Sequence, residues 1–415
     1  MACAGACRAG PWTRIGEAVW YTIARSPEVL EAYCARVRVA DAVGGPLGLT
    51  LDEPTALIRG RQQQAPMPSV SPSNPPNGGL RNALLVAGKQ IARVPWALYG
   101  FVAFSAGLAM YFVGVLMVFP RYLLGLDRYL LPVSEWLVWY SGLPLVLGMA
   151  VVLADVLLLL ALKRPTEEVL SQPIGDRHVT VALTAYNDEL SIGDAVRDFR
   201  EHPFVAQVIV VSNNSSDATM AVAAEAGATT FDESRPGYGW CVYRCLSEAL
   251  AVGESDLIVL CEGDGTFRAK DIEKLLAYAP HADIVNGTRT VERLRHPRTQ
   301  LTTFMHYGNF FVGKLLESKH IGKCTITDVG TTYKLCRRAA LMQLMPKLNP
   351  AINLEFNAHL LDLALESEFV LVECPITFHP RVGVSKGGNV SNRRALKVGL
   401  RMMAGILFGW SRRSA

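Results

Sequence analysis

Glu262 and Asp264 stand two residues apart in Glu262-Gly263-Asp264-Gly265-Thr266-Phe267. Residues i and i+2 of an extended chain point the same way, so both carboxylates can face one small space. The glycines between and after them let a ligand come close to the backbone. Hard oxygen ligands of this kind suit Mg²⁺ or Mn²⁺, which can in turn hold a diphosphate. A solvated acidic turn is the competing reading of these residues taken alone.

The chemistry needs a frame. The apolar run Asp256–Cys261 directly before the acids reads as a buried strand, so the acids sit at its carboxyl end. Around it the pattern alternates. Strands are expected at His178–Leu183, Val205–Val211 and Asp283–Asn286. Helices are expected at Asp188–Phe199, Asp217–Ala226, Tyr238–Ala251 and Ala269–Tyr278. Strand-helix alternation with short links predicts an α/β domain, a mostly parallel sheet with helices on both faces. Ligands in such sheets bind beyond the carboxyl ends of the strands. Three polar loops fall there: Thr184–Glu189, Ser212–Thr219 and Glu262–Phe267.

Half of the 415 residues are apolar, and the mean hydropathy is +0.22. The excess is concentrated. Trp96–Phe119 has no charged residue and Trp136–Leu162 has only Asp155. Each is long enough to cross a hydrocarbon core of about 30 Å as a helix, and Trp96, Tyr99, Trp136, Trp139 and Tyr140 lie near the ends, as interfacial aromatics do. Arg81, Lys89 and Arg93 before the first span, with Lys163 and Arg164 after the second, put both ends of the hairpin in the cytosol. Asp155 is costly inside a membrane unless it faces protein, water or a headgroup. The nine cysteines show no metal or disulfide spacing, no signal-peptide pattern opens the chain, and a net charge of +4 is too small and dispersed for nucleic acid. The expected organisation is an N-terminal region of unknown role (1–60), a flexible linker (61–80), a two-helix transmembrane hairpin (94–163), a catalytic domain (176–390) and an amphipathic interfacial helix (391–411). In that last helix Arg393, Lys397 and Arg401 recur every four residues beside Leu396, Leu400 and Trp410; a core-packed terminal helix is the rival reading.

The motifs, in order, resemble a family 2 glycosyltransferase. Val181–Glu189 looks like the opening V-x-x-P-x-Y-N-E, with Thr184 in place of Pro. Val211–Thr219 looks like the V-D-N-N-S-x-D-x-T turn, with Ser212 in place of Asp. Arg235-Pro-Gly237-Tyr-Gly239 is similar to the Gly-rich segment before the third helix, and Glu262-Gly-Asp264 occupies the place of the Asp-x-Asp metal motif. The resemblance covers about 178–390. It implies a GT-A fold, Rossmann-like, a nucleotide-sugar donor and Mg²⁺ or Mn²⁺. Thr184, Tyr186, Asp188, Glu189, Asn213, Gly237, Glu262, Gly263, Asp264 and Arg289 are the implied donor-binding residues. Asp264, Glu262 and Thr266 are the implied metal contacts, with Asp264 principal.

Ile284–Arg289 and His379–Lys386 resemble the V-x-G-S-R and R-x-G-x-S-K segments of the dolichol-phosphate mannose synthase and polyprenyl-phosphate glycosyltransferase branch. The implied acceptor-phosphate residues are Arg298, Arg381, Ser385 and Lys386; Arg holds phosphate by two parallel bonds and Lys by point charge. Asp264, Asp328, Arg381 and Lys386 are the expected catalytic group, with Asp328 orienting the nucleophile or merely capping its turn. The expected activity is inverting transfer of a hexose from a GDP- or UDP-sugar to a polyprenyl or dolichyl phosphate by a membrane protein whose catalytic domain faces the cytosol. Other family 2 chemistry on a glycan or glycolipid, or a non-catalytic nucleotide-sugar scaffold, are the alternatives. A processive synthase usually has a Q-x-x-R-W segment after the acceptor region, and this chain has none. The hairpin precedes the catalytic domain here, whereas related polyprenyl enzymes often carry it afterwards. Donor sugar, base, lipid length and oligomeric state are open at this level.

Overall fold

A computed structural model describes residues 88, 90–164, 169–383 and 391–410. Ser385 and Lys386 lie outside the described residues, as do the proposed N-terminal region and linker. Two apolar helices come first. Helix α1 (Trp96–Leu116) continues as a short helix to Leu123. Helix α2 (Asp127–Ala154) continues through a π turn at Asp155–Leu159 to Lys163. Both are long and apolar enough to cross a membrane, by length and composition. The second begins nine residues earlier than the Trp136 boundary of its apolar run, because Asp127–Glu135, which carries Asp127, Arg128 and Glu135, is still helical.

The two helices pack through a seam of small residues absent from the sequence-based expectation. Gly100, Gly107 and Gly114 of α1 face Gly148, Ser141 and Ser134 of α2. A Cβ at Gly148 would stand 2.5 Å from the Gly100 carbonyl and the Phe104 nitrogen, and one at Gly107 would stand 2.8 Å from Leu145 N and 2.9 Å from the Ser141 carbonyl. Backbones approach this closely only where side chains are missing. Gly107→Val is therefore expected to destabilise the hairpin by about 1–3 kcal/mol, the usual range for overpacking. Gly142→Val, whose Cβ would meet nothing within 4 Å, is the matched control. Thermal melting in detergent compares them; equal midpoints would refute the seam.

Asp155 faces protein. Its carboxylate accepts the Ala97 N–H (2.8 Å) and pairs with Lys163 (2.7 Å), whose ammonium also donates to the Val94 carbonyl. Pro95 gives α1 no side-chain cap, so a carboxylate from the other helix supplies one.

The α/β region contains β1 (Val179–Ala185), α3 (Ile192–Arg200), β2 (Val205–Ser212), α4 (Thr219–Glu225), β3 (Thr229–Asp232), α5 (Tyr238–Val252), β4 (Leu257–Glu262), α6 (Ile272–Tyr278), β5 (Ile284–Thr288), α7 (Thr303–Lys319), β6 (Lys334–Arg337), α8 (Arg338–Leu344), α9 (Phe356–Glu366), β7 (Leu371–Pro375) and α10 (Asn392–Phe408). The seven strands form one sheet in the order β3-β2-β1-β4-β6-β5-β7. All neighbours are parallel except that β6 runs antiparallel to β4 and β5. The mixed α/β sheet with helices on both faces agrees with the GT-A class that the motifs imply. Three of its strands, β3, β6 and β7, were not anticipated: each is four or five residues long, and β6 opens on a fully buried lysine, Lys334.

Alternate residues of each strand feed two cores. Val181 and Leu183 of β1 with Val259 and Cys261 of β4 pack on α3 and α6. Ala182, Ile258 and Leu260 pack on α5, α7, α9 and α10. Leu98 of α1 is buried in this second core, and Phe101 meets the Phe311 ring of α7 at 5.7 Å, so the foot of the hairpin packs into the α/β region. Helix α10 packs into the core along one side, as the rival reading of a core-packed terminal helix has it. Met402 and Ile406 are buried, while Arg393, Lys397, Leu396 and Leu400 are exposed. Its end is fastened by Trp410, whose indole N–H donates to Asp362 at 2.8 Å.

His359 lies under that end, with its ring 5.1 Å from Trp410, and Nε2 accepts the Asn349 N–H. Burial lowers its pKa from 6.5 to about 4. A depressed histidine pKa means that the unfolded chain binds more protons below pH 6.5. Stability is then lost as pH falls from 6.5 toward 4, with a slope of up to about 1.4 kcal/mol per pH unit. His359→Gln is expected to flatten this limb in denaturant titrations at pH 7.5, 6 and 5; an unchanged pH dependence would contradict it.

Candidate active site

The strand-end loops converge on one cavity of about 630 Å³. Thr184, Tyr186 and Asp188 reach it from the end of β1, Asn213 from β2, Glu262, Asp264 and Thr266 from β4, and Arg289 from β5. Gly237 and Tyr238 enter at the start of α5, and Arg381 from the strap after β7. Of the expected site residues, Glu189, Gly263, Arg298 and Asp328 do not line it. Arg298 is exposed on its loop, and Glu189 accepts the Ala218 N–H at 3.0 Å, bracing the first loop against α4.

The backbone around the acids is tightly set. Gly263 N–H donates to the Thr184 carbonyl, and a Cβ there would stand 2.3 Å from Ile192. Gly265 has φ +79°, a left-handed conformation that favours glycine. Asp264 is buried. Its Oδ1 accepts both the Thr266 N–H (3.0 Å) and the Thr266 hydroxyl (2.5 Å). Thr266 thus orients Asp264 and spends its hydroxyl proton doing so. The second oxygen, Oδ2, lies 3.1 Å from the Arg381 guanidinium.

Glu262 is held differently. The Thr332 hydroxyl donates to its Oε1 at 2.6 Å. Thr332 contacts the Tyr238 hydroxyl at 2.5 Å, and Asn357 Nδ2 donates to that hydroxyl at 3.0 Å. Burial first, and then the neighbouring Asp264, push the Glu262 carboxyl up to about 7. Tyr238, Thr332 and Asn357 were missed from sequence. Tyr238 does lie within Arg235–Gly239, but Asn357 carries no local signal, being 95 residues from Glu262 in the chain (357 − 262).

Asn213 lines the cavity, yet its amide is engaged elsewhere. Nδ2 donates to the carbonyls of Glu233 and Arg235, and Oδ1 accepts the Gly237 N–H at 3.0 Å. It shapes the Gly-rich segment. Ser212, the departure from the family's Asp, donates to Ser215, whose hydroxyl accepts the Asn187 N–H; it ties the first two loops together.

Asp328 sits behind Arg289. Its oxygens accept Nε at 2.7 Å and Nη2 at 2.8 Å, and further bonds from the backbone N–H groups of Arg289 and Gly330. Burial works to raise its pKa, but Arg289 outweighs burial and holds it below the ordinary range. A carboxylate this engaged serves to position Arg289, with no oxygen directed at the cavity. Glu373 extends the support by accepting from Thr327, the Asp328 N–H and Asn286.

The donor set fits a hard divalent cation. Asp264 presents one oriented oxygen, and a cationic group already stands against it. Among the described residues no three His, Cys, Asp or Glu side chains surround one point, so a cation there would complete its shell with water and diphosphate oxygens, the habit of Mg²⁺.

The cavity has a second arm. Phe304, Met305, Phe311 and Val312 of α7 and Leu396, Leu400 and Met403 of α10 form an apolar wall continuous with the polar end.

Comparison with known proteins identifies the domain. Residues 180–345 match the model described as glycosyl transferase family 2. An uncharacterised glycosyltransferase of Mycobacterium tuberculosis is 29% identical over 208 residues, 49% of this chain and 87% of that protein. A dolichyl-phosphate hexose transferase of Haloferax volcanii is 24% identical over 232 residues, 53% of this chain and 93% of that one. Among solved structures, glucosyl-3-phosphoglycerate synthase from M. tuberculosis, in complex with Mn²⁺, UDP and phosphoglyceric acid, superposes with a TM-score of 0.41 at 17% identity, over 55% of this chain and 78% of that one. By the family match over residues 180–345 and these curated relatives, the chain is similar to glycosyl transferase family 2.

Proposed function

We propose that this glycosyltransferase is anchored in a membrane by its hairpin and transfers a hexose, with inversion, from a GDP- or UDP-sugar to a polyprenyl or dolichyl phosphate. One observation carries the reading. A single cavity joins a polar end, built from Glu262, Asp264, Arg289 and Arg381, to an apolar arm between α7 and α10, beside the hairpin foot. A diphosphate-sugar fits the first and an isoprenoid chain the second, and the acceptor phosphate falls where they meet. The similarity to a dolichyl-phosphate hexose transferase points the same way. The lysines and arginines flanking the spans favour a cytosolic catalytic domain.

Asp264, with Glu262 beside it, would hold Mg²⁺ or Mn²⁺, which supplies charge neutralisation for the departing nucleoside diphosphate. The chain's own residues do the rest. Arg289, locked by Asp328, and Arg381 present two guanidinium forks to phosphate oxygens. A lipid monophosphate has a second pKa near 6 and is already an oxyanion at neutral pH. Its oxygen attacks the anomeric carbon as the bond to the diphosphate breaks, and no general base is required. Positioning and charge stabilisation carry the barrier.

Full-length protein, a panel of radiolabelled GDP- and UDP-sugars, Mn²⁺ or Mg²⁺, and polyprenyl phosphate test this. Label should enter the lipid phase. Absence of lipid product with every donor, or transfer only to a soluble glycan, would overturn it.

A further inference from the structure

Arg381 stands where a cation would bind. It projects from the strap that follows β7, its Nη1 3.1 Å from Oδ2 of Asp264 and its Nη2 2.7 Å from Oδ1 of Asp188. The three side chains are 15%, 4% and 6% exposed in that order. The strap is fixed to the acidic loop by its backbone: His379 N–H donates to the Thr266 carbonyl at 2.9 Å, and Val382 N–H to the Asp264 carbonyl at 3.2 Å. The guanidinium is therefore aimed at these carboxylates by its neighbours.

Asp264 has one oxygen to give. Oδ1 is occupied by Thr266, and Oδ2 faces Arg381. A divalent ion at Oδ2 and a guanidinium at the same atom would repel each other a few ångströms apart, strongly in a buried site. A cation arriving alone must displace Arg381 from Oδ2 and break a buried ion pair, a costly exchange. A diphosphate changes this, because its oxygens accept the guanidinium fork in parallel bonds.

Resting on the reading of Asp264 as the cation ligand, we infer that Arg381 is the resident counter-ion of the unloaded site and makes cation binding conditional on a nucleoside diphosphate. The diphosphate takes over the guanidinium, and Oδ2 is released to the cation. By linkage each ligand raises the other's affinity by the same factor, and Arg381 supplies part of that factor.

Calorimetric titration of Mn²⁺ into full-length protein, alone and with saturating UDP or GDP, tests the exchange. Wild type is expected to bind Mn²⁺ weakly alone and far more tightly with nucleotide. Arg381→Gln should bind Mn²⁺ alone about tenfold more tightly than wild type, within the usual span of coupling factors, and the gain from nucleotide should shrink correspondingly. Arg381→Lys keeps a charge but replaces the planar fork with a single ammonium nitrogen, and should fall between the two. It carries the comparison if the Gln variant folds poorly. Mn²⁺ binding alone that is no tighter in the variants than in wild type overturns the inference. Asp264→Asn separates the two levels: if it binds Mn²⁺ with nucleotide as well as wild type does, the metal assignment itself fails.

Discussion

Asp264→Asn is expected to lower sugar transfer by about a thousandfold, the scale on which removing one electrostatic stabiliser acts. The substitution is nearly isosteric. Its carbonyl still accepts the two Thr266 bonds that fix the side chain, so the loop should keep its shape. What changes is the second position, where an amide N–H₂ replaces Oδ2. That group cannot ligate a cation, and it turns a donor toward the donors of Arg381. The rate loss should come with loss of Mn²⁺-dependent nucleotide binding. Initial rates of lipid labelling at saturating Mn²⁺ provide the check. A variant retaining a tenth of the wild-type rate would show that Asp264 is not the principal ligand.

The second large effect is on stability. Asp328→Ala removes the only carboxylate in ion-pair contact with Arg289 among the described residues and leaves a guanidinium buried beneath the cavity. Breaking a buried pair in this way costs about 3–5 kcal/mol, a large part of the whole stability of a typical domain. Pairing it with Arg289→Met should recover much of that loss, because no charge is then stranded, yet transfer should stay low without the guanidinium. Denaturant unfolding of the two single variants and the double variant separates the roles. If Asp328 were instead a general base, Asp328→Ala would depress kcat with an unfolding curve near wild type.

The carboxyl ends of β1, β2 and β4 were legible because each follows an apolar run and carries its polar residues within a few positions. The distance from sequence to site is short there, and Tyr186, Asp188, Glu262 and Asp264 do meet in one cavity. Partnerships across the chain were not legible. Asp328 reads as a turn acid until the antiparallel β6 brings the segment before it against β5, where Arg289 waits. Thr332 and Asn357 acquire a role only once the fold sets Thr332 against Glu262 and Asn357 against the Tyr238 hydroxyl. Lys334 hides a strand because a lysine is rarely placed at full burial; here it donates to the Thr331 carbonyl and to Asn357, and burial lowers its pKa to about 8. The glycine seam could have been found. The positions 100, 107 and 114 repeat every seven residues, but runs of uniform hydrophobicity hide which face is small.

Leu98 lies two residues before Gly100 on the same uninterrupted helix. The close-packed seam and the catalytic core therefore share one rod. A rotation of α1 about its axis that loosened the seam would also withdraw Leu98 from the core that holds Val312 and Leu315, and would shift Phe101 off Phe311, a residue of the cavity wall. The hairpin is less a tether than a keel: the contacts that close it upon itself also fix the heading of the cleft relative to any bilayer it crosses.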